Sequence, residues 1–213
     1  NHGLVADTSN ELISNAEKFH TFMFQYEEKG KALAAKLKGK TPVIYAPSNL
    51  ASVAMVWKIK LNENAKMPGH SAVVPELNHN EIVGWERPGA LTKSVAVLLL
   101  RDAEDSTATR TRLTLTGEYA ARQGAAVYEV DSTGEGRLAR LASLVQFGDY
   151  LSLYLALADG VDADGPGREA LQHGDEAARA QVLVHHEAWQ HGEADAVGHG
   201  FAQERPIGDG QRA

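Results

Sequence analysis

"PVIYAPSNLASVAMVWKIKLNENAKMPGHSAVVPE" (42–76) is the stretch that decides the fold, because it places one helical segment between two short strands. The runs 42–46 and 71–76 are short and rich in β-branched residues, which is typical of strands. Between them apolar residues recur at helical spacing, and Ser48 is a candidate N-cap for this helix. Two strands joined through a helix lie parallel in one sheet, whereas a tight turn would make them antiparallel.

The same alternation continues along the chain. "VAVLLLR" (95–101) and "AAVYEVD" (125–131) predict two further strands, and residues 108–124 and 136–160 predict the helices that follow them. Strands of continuous apolar character that alternate with helices indicate a sheet covered on both faces. The sequence therefore predicts an α/β three-layer sandwich with a mostly parallel sheet of four to five strands, in the flavodoxin-like order 2-1-3-4(-5).

The two ends of the chain differ from this central region. Residues 10–38 predict two helices with a break at Gly30, so we interpret 1–40 as a helical linker before a domain at 41–160. From 161 to 213 lysine is absent and Ala, Gly, Asp, Glu, Arg and His predominate. This composition is typical of a disordered or loosely helical tail, or of translation in a wrong reading frame.

The tail also contains several histidines. His185, Glu187 and His191 are candidate metal ligands there. Their spacing matches no established zinc motif, so a metal site has little support. No GxGxxG or GxxxxGK[ST] motif occurs in the chain, and a nucleotide cofactor has no support either.

The overall composition excludes several classes of function. The formal net charge of −7 disfavours phosphate backbones and anionic lipid surfaces, and with no cysteine there is neither a disulfide nor a thiolate metal site. The longest apolar run, "SVAVLLL" (94–100), is far shorter than the roughly 20 residues of a membrane span. The first residues lack the features of a signal peptide. We therefore expect a cytoplasmic protein without nucleic-acid or membrane partners.

Three polar clusters lie at the ends of predicted elements: "NENAK" (62–66), "PELNHNE" (75–81) and "RDAED" (101–105). Since loops that follow parallel strands gather at one rim of the sheet, we expect these clusters to converge. Glu63 is a candidate base, and His79 is a candidate proton carrier because an imidazole titrates near neutral pH. Spacing alone leaves open that Glu63 is a solvated helix-end carboxylate and that His79 is a capping histidine.

Two other features have simpler interpretations. The acidic residues of 101–105 are typical of a solvated loop. We interpret Arg110 and Arg112 as surface charges. Ser48, at the start of the helix after the first strand, is a candidate phosphate ligand, although no glycine accompanies it.

Three stretches taken together resemble the bifunctional phosphoglucose/phosphomannose isomerases, in their second sugar-isomerase (SIS) domain. These are "TPVIYA" (41–46), "VAMVWKIKLNENAKMPGHSAVVPELNHNEIVGWE" (53–86) and "FGDYLSLYLALADGVD" (147–162). The resemblance implies a SIS-type fold and a homodimer. It also implies interconversion of glucose 6-phosphate or mannose 6-phosphate with fructose 6-phosphate through an enediol, without metal or cofactor.

The resemblance also implies roles for individual residues. Glu63 matches the base of the family, and His79 matches the histidine that crosses from the partner subunit to open the sugar ring. Ser48, Asn62 and Asn78 are the expected substrate-binding residues, with the asparagines beside His79 holding its tautomer.

The chain also departs from the family pattern. It resembles only the back half of such an enzyme, and the residues after "GVD" (160–162) lack the lysine that the family places against the substrate. We therefore expect this chain to be inactive alone. The alternative is a non-catalytic SIS module that binds a sugar phosphate for regulation or serves in dimerisation.

Overall fold

The computed structural model describes residues 9–87, 89–161 and 163. The predicted metal ligands of the tail, and nearly all of 161–213, lie outside the described residues. The strands are β1 (Thr41–Pro47), β2 (His70–Val74), β3 (Val95–Arg101) and β4 (Ala126–Asp131). The helices are α1 (Ser9–Leu37), α2 (Ala51–Glu63), α3 (Glu81–Gly84), α4 (Ala90–Lys93), α5 (Thr107–Arg122) and α6 (Gly136–Asp159). Two short 3-10 helices, Ser48–Leu50 and Glu76–Asn78, follow β1 and β2.

The four strands form one parallel sheet in the order β2-β1-β3-β4. This confirms the predicted fold class and strand order. Every residue of β3 is buried, as expected for a central strand with helices on both faces. Because β1 leads to β2 in one direction and the later strands follow in the other, right-handed connections place α2 on one face and α3 to α5 on the opposite face.

The first face of the sheet carries α1, α2 and α6. The indole of Trp57 in α2 stacks on Phe147 of α6 with ring centroids 5.7 Å apart, and its Nε1 donates to the carbonyl oxygen of Leu144 at 2.7 Å. A Cβ at Gly148 would lie 2.7 Å from that indole nitrogen. Glycine at 148 therefore lets the ring lie flat against α6.

Helix α1 is continuous from Ser9 to Leu37, so the prediction of two helices broken at Gly30 is wrong. A Cβ at Gly30 would lie 2.9 Å from Cβ of Tyr150 in α6. Gly30 therefore permits close packing of two helices rather than a break in one. Among the described residues α6 is the one helix long and apolar enough to cross a membrane; half of its most apolar window is buried inside the protein, as in a core helix.

The opposite face carries α5 and the segment 76–85. Leu77 and Trp85 of that segment share one apolar cluster with Leu113 of α5 and with alternate residues of the sheet. The sheet residues in this cluster are Val43, Tyr45, Ala72, Val74, Val95, Val97, Leu99 and Val127. The sheet therefore separates the segment 76–85 from α2.

Candidate active site

Glu63 is the last residue of α2, and its side chain is exposed. Contacts with α6 fix this end of the helix. Lys60 Nζ lies 3.1 Å from Asp149 Oδ1, and Asn64 Nδ2 donates to Ser152 Oγ at 2.9 Å. The carboxylate of Glu63 is thus carried by a rigid helix end and faces solvent.

The predicted substrate ligand Asn62 holds the loop that leads from α2 to β2. Its Oδ1 accepts the backbone N–H of Gly69 at 3.0 Å, directly before β2 begins at His70. The end of α2 therefore lies near the amino end of β2. Its Nδ2 forms no hydrogen bond with another described residue, so both N–H donors of the exposed amide are available to a ligand.

His79 follows the 3-10 helix after β2, and its backbone N–H donates to the carbonyl oxygen of Glu76 at 2.9 Å. Its imidazole is exposed. Asn80 Nδ2 donates to Glu76 Oε1 at 3.0 Å, and Asn80 Oδ1 accepts the N–H of Glu81. Asn78 Nδ2 donates to Thr116 Oγ1 at 2.8 Å. The two asparagines therefore hold the backbone around His79, and within the described residues neither forms a hydrogen bond with its imidazole. The expectation that they hold its tautomer stays a prediction.

The segment beyond His79 is tied to the sheet. The carboxylate of Glu81 pairs with the imidazole of His70 at the start of β2. Trp85 Nε1 donates to the hydroxyl of Tyr45 in β1 at 3.1 Å. Burial, with a further contribution from the Glu81 carboxylate, raises the pKa of Tyr45 well above its ordinary value, so this hydroxyl stays protonated.

Ser48 joins the carboxyl ends of two strands. Its Oγ donates to the carbonyl oxygen of Val74, the last residue of β2, at 2.6 Å. It begins the 3-10 helix, and α2 follows at Ala51 with Leu50 as an N-cap that makes no side-chain hydrogen bond. The prediction that Ser48 caps the helix is therefore wrong. Its role as a phosphate ligand stays a prediction.

Asp102 and Asp105 of the cluster after β3 are buried, so its interpretation as a solvated loop is wrong for these two residues. Arg140 of α6 pairs with Asp102 at 3.0 Å and with Glu104 at 2.6 Å. Burial raises the pKa of Asp105. Arg110 is not a free surface charge, because its guanidinium donates to the backbone of this loop. One sequence signal for the network was Arg140, an arginine that lies between apolar residues of the leucine-rich helix 136–160.

The three polar clusters do not all meet at the carboxyl rim of the sheet, contrary to expectation. "NENAK" (62–66) follows a helix and lies near the amino end of β2, where Asn62 accepts the N–H of Gly69. "PELNHNE" (75–81) begins after β2 but returns to the amino end of that strand, where Glu81 pairs with His70. Glu63 and His79 are also carried on opposite faces of the sheet, because α2 packs on α6 while 76–85 packs with α5. Within the described residues no three His, Asp or Glu side chains lie close enough to hold a metal ion.

Comparisons with known proteins identify the family. Residues 26–165 match the family described as the bacterial phospho-glucose isomerase C-terminal SIS domain. The bifunctional phosphoglucose/phosphomannose isomerase of Caldicellulosiruptor bescii is 36% identical over 153 residues, which are 71% of this chain and 45% of that protein. The enzyme of the same name from Aquifex aeolicus is 31% identical over 159 residues, 75% of this chain and 49% of that protein.

A solved structure agrees with these relatives. It is a glucose-6-phosphate isomerase like protein from Thermus thermophilus, with a TM-score of 0.51 and 26% identity over 63% of this chain and 44% of that one. The chain spans about half the length of the curated relatives that it matches. The family match covers well over half of the chain and confirms the resemblance, so this chain belongs to the family of bacterial phospho-glucose isomerase C-terminal SIS domains.

Proposed function

We propose that this chain is the C-terminal half of a two-SIS-domain isomerase that interconverts glucose 6-phosphate or mannose 6-phosphate with fructose 6-phosphate. The names of its curated relatives support this substrate class. The observation that carries the proposal is the setting of Glu63 and His79. Both are exposed on segments fixed by their neighbours, so both can present their side chains to a ligand.

Glu63 acts as the base. Its carboxylate takes the proton from C2 of the open-chain aldose, and the C–H electron pair forms the C1–C2 double bond of an enediol as O1 gains a proton. Return of the proton to C1 and loss of the O2 proton then give the ketose, so hydrogen moves between carbons without an external oxidant. His79 opens the ring beforehand by moving a proton from the anomeric hydroxyl to the ring oxygen, a step that suits an imidazole.

The two residues act on one sugar across a homodimer. Glu63 and His79 of one chain are carried on opposite faces of the sheet, which supports a site that combines residues of two chains. A second copy that presents its own His79 to Glu63 brings the two residues together and creates two equal sites. Ser48 and Asn62 bind the substrate in this proposal. The amide oxygen of Asn78 is buried, which argues against direct contact of that side chain with the sugar.

The test is turnover by the full-length protein with Glu63→Gln, using glucose 6-phosphate and mannose 6-phosphate. Loss of the base should lower kcat by at least about 100-fold. Glu86→Gln is the matched control, because Glu86 is an exposed carboxylate in the same domain without a proposed role. Unchanged turnover in Glu63→Gln would refute the assignment. Binding of a hexose 6-phosphate without turnover, unaffected by Glu63→Gln, would indicate a regulatory module instead.

A further inference from the structure

"NEN" (62–64) and "NHN" (78–80) place an asparagine on each side of both candidate catalytic residues. Within the described part of the chain, neither central side chain makes a hydrogen bond or ion pair, whereas all four flanking amides do. Asn62 and Asn80 bond groups in their own loops. The other asparagine of each triplet bonds a hydroxyl on a distant helix.

The first of these bonds joins α2 to α6. Ser152 is fully buried, and its Oγ donates to the carbonyl oxygen of Asp149 in its own helix at 2.9 Å. That bond uses the only proton of the hydroxyl, so the remaining lone pairs can only accept. Asn64 Nδ2 donates to this oxygen at 2.9 Å. The backbone directly after Glu63 is therefore fixed to a buried point on α6.

The second bond repeats this arrangement on the opposite face of the sheet. Thr116 of α5 is 2% exposed, and its Oγ1 donates to the carbonyl oxygen of Arg112 at 2.8 Å. It accepts Asn78 Nδ2 at 2.8 Å. Asn78 Oδ1 is buried without a partner among the described residues, so the bond to Thr116 is the one that holds this amide. The backbone directly before His79 is therefore fixed to α5.

We propose that Asn64 and Asn78 are positioning residues, each of which fixes a neighbouring candidate catalytic side chain through a hydrogen bond to one buried helix hydroxyl. The roles of Glu63 and His79 in this inference rest on the proposed function. The two anchors, which are the Asn64–Ser152 and Asn78–Thr116 hydrogen bonds, do not depend on it. With the backbone fixed beside it, each catalytic side chain retains only its own torsions, which lowers the entropy lost in reaching a reactive geometry.

The test removes one acceptor at a time and follows amide hydrogen exchange in the full chain. Thr116→Val removes the hydroxyl but keeps the shape of the side chain. It should raise exchange in 76–84 by about tenfold or more, the effect of losing a hydrogen bond and leaving the Asn78 amide unpaired. Thr116→Ser should restore the original exchange. Thr111→Val, at an exposed position of α5, is the control and should change neither segment.

Ser152→Ala provides the reciprocal measurement. It should raise exchange in 60–68 and leave 76–84 unchanged, which a general loss of stability would not do. In the active enzyme Thr116→Val should lower kcat with little change in KM, and Thr116→Ser should recover it. Unchanged exchange in Thr116→Val, or an equal rise in both segments, would overturn the inference. Amide hydrogen exchange requires no substrate. Failure of the isomerase assay would therefore refute the proposed function without contradicting the two anchoring hydrogen bonds.

Discussion

Gly30→Ala should destabilise the protein, although alanine is normally the better helix former. The new methyl would lie 2.9 Å from Cβ of Tyr150 and 3.1 Å from the backbone nitrogen of Leu151. Favourable contacts between carbon atoms lie at about 3.5–4.0 Å, so α1 must move away from α6. Overpacking of this kind costs about 1–3 kcal/mol, whereas replacing glycine inside a helix returns about 1 kcal/mol.

The matched control is Gly84→Ala in α3, where an added Cβ meets nothing within 4 Å. Chemical denaturation of both variants would measure the free energy of unfolding. Since both substitutions add one methyl group to a helical glycine and only the methyl at position 30 meets a neighbour, their difference reports mainly the steric contact between α1 and α6. We expect Gly30→Ala to be less stable than Gly84→Ala by about 1–3 kcal/mol. Equal stability of the two variants would show that α1 does not pack closely on α6.

The buried charges after β3 yield two further predictions. Arg140→Met leaves the buried Asp102 without its cation and should lower the free energy of unfolding by about 3–5 kcal/mol. The control is Arg137→Met at an exposed position of the same helix. An Arg140→Met loss no larger than that of the control would contradict the stabilising role of the buried ion pair. Burial raises the pKa of Asp105 above its ordinary 3.8, so folding disfavours the ionised carboxylate. Relative to Asp105→Asn, the wild-type protein should therefore lose stability as pH rises above 3.8 through the raised pKa. Chemical denaturation across this pH range measures the difference in the free energy of unfolding. A difference that changes in the opposite direction would refute the claim that burial raises the pKa of Asp105.

The sheet was predictable because its signal is local. Continuous apolar runs such as 95–101 predict buried strands, and their alternation with helices predicts a parallel sheet. The placement of Glu63 and His79 on opposite faces of the sheet was also predictable from the sequence. The predicted strand order and right-handed connections together place α2 on the face opposite the segment after β2.

The features missed from the sequence depend on distant partners. Gly30 has the same local signal whether it breaks a helix or admits a neighbour, and only the position of Tyr150 decides between them. Asp102 resembles a loop carboxylate until Arg140, far along the chain, is known to face it. Likewise, the sequence around Asn64 and Asn78 does not indicate that each amide bonds a hydroxyl on another helix.

The central claim is that Glu63 of one chain and His79 of another act on the same sugar. Mixing inactive Glu63→Gln and His79→Asn full-length proteins, with subunit exchange, tests it most directly. Half of the dimers formed at random are hybrids, each with one intact site of two, so activity should return to about a quarter of the wild-type value. A mixture that remains as inactive as its two components would show that both residues serve the same chain's site.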